Sequence, residues 1–376
     1  MNYVTLGKIA EFINGYAFKP SDWSNEGLSI IRIQNLTDSN KPFNKTTKSV
    51  PDKYIVHKGD LLISWSATLG IFEWEKEEDA LLNQHIFKVL LDSTLVEKRY
   101  FMYVLQHTIA KMSQFTHGST MKHIVRGDFL KHQIPLPDLD KQKLIVELLD
   151  KANALRQKRN LSIHLLDQYL KSAYLEMFGN PMNNPKNWGL KKFGAIGKLD
   201  RGMSKHRPRN APELLGGDHP LIQTGDVSNS GIYIRTYKST YSDIGLKQSK
   251  KWPKGTLCIT IAANIAKTGI LDFDACFPDS VVGFVPDLNQ TNNLFIHFWI
   301  SFLQEMLERN APVSAQKNIN LKILRELDVF IPPIESQNKF ADIVNQTESL
   351  KFKMIQQLEV LDTQFQSLMQ RSFSVK

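Results

Sequence analysis

The chain carries the same ordered set of short segments twice, and this duplication limits its fold more than any other feature. The first copy runs through Ile31-Arg32-Ile33-Gln34, His57-Lys58-Gly59-Asp60-Leu61-Leu62-Ile63 and Ala67-Thr68-Leu69-Gly70-Ile71. It continues through Gly118-Ser119-Thr120-Met121-Lys122-His123-Ile124 and Ile134-Pro135-Leu136-Pro137. The second reads Leu221-Ile222-Gln223, Pro253-Lys254-Gly255-Thr256-Leu257-Cys258-Ile259 and Ala266-Lys267-Thr268-Gly269-Ile270. Val313-Ser314-Ala315-Gln316-Lys317-Asn318-Ile319 and Ile331-Pro332-Pro333-Ile334 complete it. Gly59 and Gly255, Ile124 and Ile319, and Pro135 and Pro332 keep a nearly constant offset of about 196 residues. A period that long exceeds a solenoid unit and marks a duplicated domain.

Each copy opens with apolar runs separated by turn signals, as where Lys58-Gly59-Asp60 leads into Leu61-Leu62-Ile63. Glycine there supplies the positive φ that other residues resist. Short helical stretches follow at Glu97 to Lys111 and Leu294 to Arg309, so the pattern is mixed, α+β. Each copy ends in a long segment without glycine or proline and with apolar residues at helical spacing. In the first the expected seam is Ile145, Leu148, Ala152, Leu155, Leu166 and Tyr169; in the second it is Met354, Leu358, Leu361, Phe365 and Leu368. A seam repeating every seven residues suits a coiled coil, and each helix spans on the order of 55 Å at 1.5 Å per residue. Phe178-Gly179-Asn180-Pro181 closes the first helix, with Gly179 as left-handed cap and Pro181 as stop.

These features predict two pseudo-symmetric α+β domains separated by two long helices that form an antiparallel coiled coil. The expected boundaries are 1–140 for the first domain, 141–178 for the central helix, 179–334 for the second domain and 335–376 for the C-terminal helix. In that arrangement the paired helices hold two similar heads a fixed distance apart, as a reader of two half-sites on a duplex requires. The formal charge of +9 favours an acidic partner such as double-stranded DNA. Candidate DNA contacts follow from side-chain chemistry. Ser119, Thr120, Lys122 and His123 form a small, polar, basic loop suited to phosphate, and Ser314, Gln316, Lys317 and Asn318 are its counterpart. Arg201, Lys205, Arg207 and Arg209 make the densest basic run, while Arg32, Gln34 and Gln223 stand after strands as candidate base readers. Gln34 and Gln223 are expected at matched places. Trp65 and Trp252 read as core or rim residues rather than stacking platforms.

The opening segment does not read as a signal peptide, and no stretch approaches the roughly 18 apolar residues of a membrane span. Cytoplasmic localisation with Cys258 and Cys276 as free thiols is the simplest expectation. His85, His123 and His297 show no metal-ligand spacing, so no metal site is expected. Asp138, Asp140 and Lys141 lie just before a helix and read as capping charges rather than a nuclease cluster. Asn180-Pro181-Met182-Asn183-Asn184-Pro185 lacks the tandem proline and aromatic of a flipped-base pocket, and no P-loop is present.

Over nearly its full length the chain resembles specificity subunits of type I restriction-modification systems. Ile33-Gln34, Lys58-Gly59-Asp60-Leu61-Leu62, Gly118 to Ile124, Ile134-Pro135-Leu136-Pro137 and Met177-Phe178-Gly179-Asn180-Pro181 carry the resemblance, twice in order with a long helix after each copy. The resemblance implies two target-recognition domains, each reading half of an interrupted asymmetric site, with helices that set the gap and dock two methyltransferase subunits. It implies no catalysis and no cofactor in this chain: S-adenosylmethionine belongs to the methyltransferase subunits, and ATP and Mg to restriction subunits. The second copy departs at Ala311-Pro312-Val313, where the first has His117-Gly118, which weakens the phosphate role of that loop. Two other classes stay open on the residues alone: a DNA methylase or nuclease with an unrecognised site, and a coiled-coil scaffold that binds only proteins.

Overall fold

The structure, a computed structural model, describes residues 2–38, 40–65, 69–114, 126–262, 265–310 and 320–374. It divides into two compact units: Met1–Asn160 with Gln356–Lys376, and Leu161–Ile355.

Unit 1 has two four-stranded sheets. One is antiparallel, in the order Ala10–Asn14, Ile86–Leu91, Leu61–Ser64, Gly70–Glu73. The other runs Asn44–Thr46, Leu28–Ile31, Ala80–Leu82, Ile55–Val56, with the two middle strands parallel. Leu61–Ser64 is buried at all four positions, because it lies inside the sheet and is covered on both faces; hence its unbroken apolar run. Unit 2 repeats both sheets in the same order. Gly197–Arg201, Val281–Pro286, Leu257–Thr260 and Thr268–Leu271 form the first, joined by a fifth strand, Tyr233–Ile234. Ser239–Tyr241, Leu215–Leu221, Ala275–Cys276 and Lys251–Trp252 form the second. A two-stranded pair also recurs, Tyr3–Thr5 with Gln133–Pro135 and Leu190–Lys192 with Asp328–Phe330.

The turn before the buried strand is the same in both units. Gly59 and Gly255 adopt φ of 88° and 85°, the left-handed region that a side chain resists. In unit 1 the Asp60 carboxylate then accepts from the His57 N–H at 2.8 Å, closing the turn.

The long helices span Leu139–Phe178 and Ile334–Phe373, each about 60 Å at 1.5 Å per residue. Asp138 caps the first by accepting from the Lys141 N–H at 2.8 Å, in keeping with the capping role expected there. Its other end stops at Gly179, φ 86°, whose N–H donates to the Leu175 carbonyl at 2.8 Å. Lys186 Nζ takes the orphan carbonyls of Glu176 and Met177 at 2.6 and 2.9 Å. Within each unit the two helical portions run antiparallel. In unit 1 Tyr103 touches both Asp150 and Phe365, and further along Arg156 pairs with Asp362 at 2.5 Å. In unit 2 Asp167 pairs with Lys351 at 2.5 Å, and Tyr174 packs on Phe340.

The seam differs from the expected one on the central helix. Ile145, Ala152 and Leu166 face inward, but Leu148, Leu155 and Tyr169 are 47%, 56% and 51% exposed. Leu149, Arg156 and Leu170 take the inward places. Arg156 serves there because its guanidinium lies 4.4 Å from the Phe365 ring centre while its head reaches Asp362. On the C-terminal helix Phe365 is buried, and Met354, Leu358, Leu361 and Leu368 are half-buried.

Candidate nucleic-acid interface

The short helix after the parallel strand is built alike in both units, preceded by half-buried Arg32 in one and exposed Gln223 in the other. Arg32 precedes Ile33–Thr37, and its N–H donates to Asn35 Oδ1 at 3.1 Å. Gln223 precedes Thr224–Ser228, and its N–H donates to Asp226 Oδ2 at 2.9 Å. This shared bond, from the N–H before the helix to the side chain three residues on, fixes the structural register. It corrects one expectation: the residue matching Gln223 is Arg32, not Gln34. Gln34 is exposed two residues further on, where unit 2 has Gly225. Arg32 is held against Trp23, 5.7 Å from its ring centre, and its Nη1 approaches Asn44 Oδ1 at 3.4 Å.

The basic segment of unit 2 is only partly free. Arg207 and Arg209 both reach Asp279, at 3.8 and 2.6 Å, and Arg207 also donates to the carbonyls of Ser204 and His206. Their shared carboxylate cancels part of the charge that the run offers to phosphate. Lys205 is exposed, its backbone N–H held by Gln248 Oε1 at 2.6 Å. Arg201 is exposed at the end of its strand and makes no ion pair among the described residues. Arg209 and Gln223 are brought together on one hollow of about 310 Å³, with Ser204, Asn210 and Thr224. That grouping of a guanidinium with carboxamides and hydroxyls suits polar contacts to phosphate and base edges. Ser119, Thr120, Lys122, His123, Ser314, Gln316, Lys317 and Asn318 lie outside the described residues.

Trp252 is buried and stacks on Phe277 at 5.0 Å, so it offers no free face to a base; half-buried Trp65 stacks one face on Phe87 at 5.7 Å. Cys258 and Cys276 are buried free thiols, and burial pushes both pKa values up. His297 is buried, bonded to Thr268 Oγ1 at 2.9 Å, and desolvation pushes its pKa down to about 4. An imidazole held neutral when folded but protonated when unfolded favours folding fully above about pH 6.5. That contribution falls as pH drops toward 4. Urea unfolding of His297→Gln should therefore show weaker pH dependence than wild type between pH 6.5 and 4; an unchanged slope counts against this origin.

Two residues that sequence reasoning missed fasten each domain to its helix. Gln142 is fully buried: its Nε2 donates to the carbonyls of Leu95 and Pro137 at 2.9 and 2.8 Å, and its Oε1 accepts from the Glu97 N–H at 2.8 Å. Gln337 repeats this with Gln290, Pro332 and Thr291 at 3.0, 2.9 and 2.9 Å. Each glutamine thereby ties two loop carbonyls to the start of the helix through its own buried side chain. The available signal was their equal spacing after Pro137 and Pro332.

A twice-repeated α+β domain, each copy fastened to a long helix and carrying exposed cationic and amide side chains, defines a duplicated recognition protein. The family model of the type I restriction modification DNA specificity domain matches residues 1–164 and again 185–360, and the chain belongs to that family. The EcoBI type I restriction enzyme specificity subunit of Escherichia coli is 23% identical over 404 residues, covering 98% of this chain and 85% of that one. Two solved chains share the fold. One, from work on complex assembly and conformational transition of the type I R-M system, has a TM-score of 0.63 at 15% identity, covering 99% of this chain and 97% of that one. The S subunit of a type I restriction-modification system from M. genitalium has a TM-score of 0.56 at 13% identity, covering 100% and 96%. Among the described residues no helix is long and apolar enough to cross a membrane.

Proposed function

We propose that this chain is the DNA-specificity subunit of a type I restriction-modification complex, each unit reading one half of a bipartite asymmetric site. The observation that carries this is the double family match on two units with the same sheet order and the same helix attachment. In this reading the chain catalyses nothing itself. Methyltransferase subunits bring S-adenosylmethionine, restriction subunits bring ATP and Mg, and the complex works in the cytoplasm where its DNA lies. The long helices set the gap between half-sites. Methylation mapping in cells with and without the gene tests it. The expected result is one interrupted motif that disappears on deletion; an unaltered methylome overturns the reading.

The helices also present a face for the methyltransferase subunits. In unit 1 Leu144, Leu148 and Leu155 are 66%, 47% and 56% exposed on one side of the central helix, away from its buried seam. In unit 2 Leu161, Leu165 and Tyr169 are exposed on the same helix. Apolar side chains left open along a helix are costly unless a partner covers them. Leu148→Glu with Leu155→Glu should cut co-purification of the methyltransferase subunits by roughly tenfold or more while leaving thermal unfolding unchanged. Equal recovery of those subunits counts against this face.

A further inference from the structure

The two units differ at one sheet edge. In unit 2 the strand Thr268–Leu271 is paired on its outer side by Tyr233–Ile234, in parallel. The Ile270 N–H donates to the Ile232 carbonyl at 2.8 Å and the Asp272 N–H to the Ile234 carbonyl at 3.2 Å. Ile232 is buried in the same cluster as Leu294 and Phe298, and Tyr233 Oη donates to Asn345 Oδ1 at 2.6 Å. Arg235 follows, 3.8 Å from Asp272 and from Glu348.

The matching strand of unit 1 is Gly70–Glu73. Trp74 accepts from the Gly59 N–H and donates to the Asp60 carbonyl, at 2.7 and 2.9 Å, as Leu271 does with Gly255 and Thr256 at 2.8 and 2.9 Å. That register sets Glu73 in the place of Ile270 and Glu75 in the place of Asp272. The alternation of an antiparallel ladder turns the N–H groups of Ile71 and Glu73 outward. Among the described residues no strand pairs with that edge. The cause is legible in the chain. Residues 229–238 connect Thr224–Ser228 to Ser239–Tyr241, whereas only residues 38–43 connect Ile33–Thr37 to Asn44–Thr46, too few to reach across and add a strand.

Where unit 2 places its added strand, unit 1 has a hollow of about 490 Å³ lined by Ile71, Phe72, Met102, Tyr103, Gln106 and Asn153. The matched glutamines Gln142 and Gln337 set Asn153 in the place of Glu348 and Asp150 in that of Asn345. Asp150 is already bonded by Tyr103 and Arg99, so an aromatic group entering here needs no hydroxyl. Glu75 is exposed and makes no ion pair among the described residues, leaving the counterpart of the Asp272–Arg235 contact open.

We propose that this hollow takes an extended segment of a partner protein, laid parallel to Gly70–Glu73 as an added strand. Its pattern is apolar, aromatic, apolar, basic, as in Ile232-Tyr233-Ile234-Arg235. Backbone bonds to Ile71 and Glu73 supply the pairing, the hollow takes the apolar side chains, and Glu75 takes the cation.

The test uses the full chain and a synthetic peptide of residues 229–238. Fluorescence anisotropy should show saturable one-to-one binding, and hydrogen exchange should slow at residues 70–75. A scrambled peptide should bind about tenfold or more weakly. Ile71→Pro removes one outward N–H, a change that an edge strand tolerates; Met102→Trp fills the hollow. Each should weaken binding about tenfold with thermal unfolding unchanged, and Met102→Trp decides the matter if the proline variant does not fold. Equal binding of the scrambled peptide, protection only at residues 268–272, a strand-exchanged dimer, or unchanged binding by Met102→Trp each overturns the proposal.

Discussion

Four residues inserted between Asn160 and Leu161, with four more between Ile355 and Gln356, should lengthen the gap in the methylated motif and leave both half-sites as they were. The insertion points fall inside the two long helices where the compact units divide, so the ties within each unit stay intact. Arg156–Asp362 remains in unit 1, Asp167–Lys351 in unit 2, and the buried Gln142 and Gln337 are untouched. Four residues add about 6 Å of helix, on the order of two base-pair steps. They also shift the apolar repeat by a stutter that a coiled coil absorbs through local unwinding. Methylome sequencing reads gap and half-sites separately. A motif whose half-sites change while the gap stays fixed is the opposite outcome, and it would mean that the helices shape the readers rather than space them.

What could be read from the sequence depended on how many residues spoke for each feature. The duplication and the two long helices were legible because tens of positions agree: glycine and proline are missing over a long stretch, and matched prolines precede each start. The seam of the central helix was harder. Leu148 stands beside Leu149 and Leu165 beside Leu166, so periodicity alone admits two stripes about 100° apart. The choice between them turns on Arg156, whose guanidinium lies over the Phe365 ring, and a rule that seeks only apolar residues passes it over. The pairing of Gln34 with Gln223 failed for a different reason. Identity of residue type suggested it, whereas the bonds from the Arg32 N–H to Asn35 and from the Gln223 N–H to Asp226 set the register two residues away. Gln142 and Gln337 were invisible because a glutamine in the first turn of a helix ordinarily faces water. Only the loop carbonyls converging on them explain their burial.

Tyr174→Ala should strongly destabilise unit 2, and Tyr174→Phe should cost nothing. Tyr174 is fully buried on the central helix, and its ring lies between 5.1 and 6.0 Å from those of Phe178, Phe295, Phe298, Phe302 and Phe340. It therefore joins that helix, the helix Asn293–Asn310 and the C-terminal helix in one core. Removing an aromatic side chain from such a site costs about 3–5 kcal/mol, from lost transfer energy and the cavity left behind. The hydroxyl tells the opposite way. It is buried with no hydrogen-bond partner among the described residues, and desolvation pushes its pKa well up, so the phenol stays neutral and its polar atom is a liability. Deleting it keeps the ring contacts and relieves an unsatisfied group, a gain of up to about 1 kcal/mol. Because this core lies wholly in unit 2, hydrogen exchange should show the alanine variant losing protection at residues 293–300 and 340–344, with residues 100–105 unaffected. Equal loss in both units would mean that the two cores melt as one, and a phenylalanine variant as unstable as the alanine one would show that the hydroxyl has a partner after all.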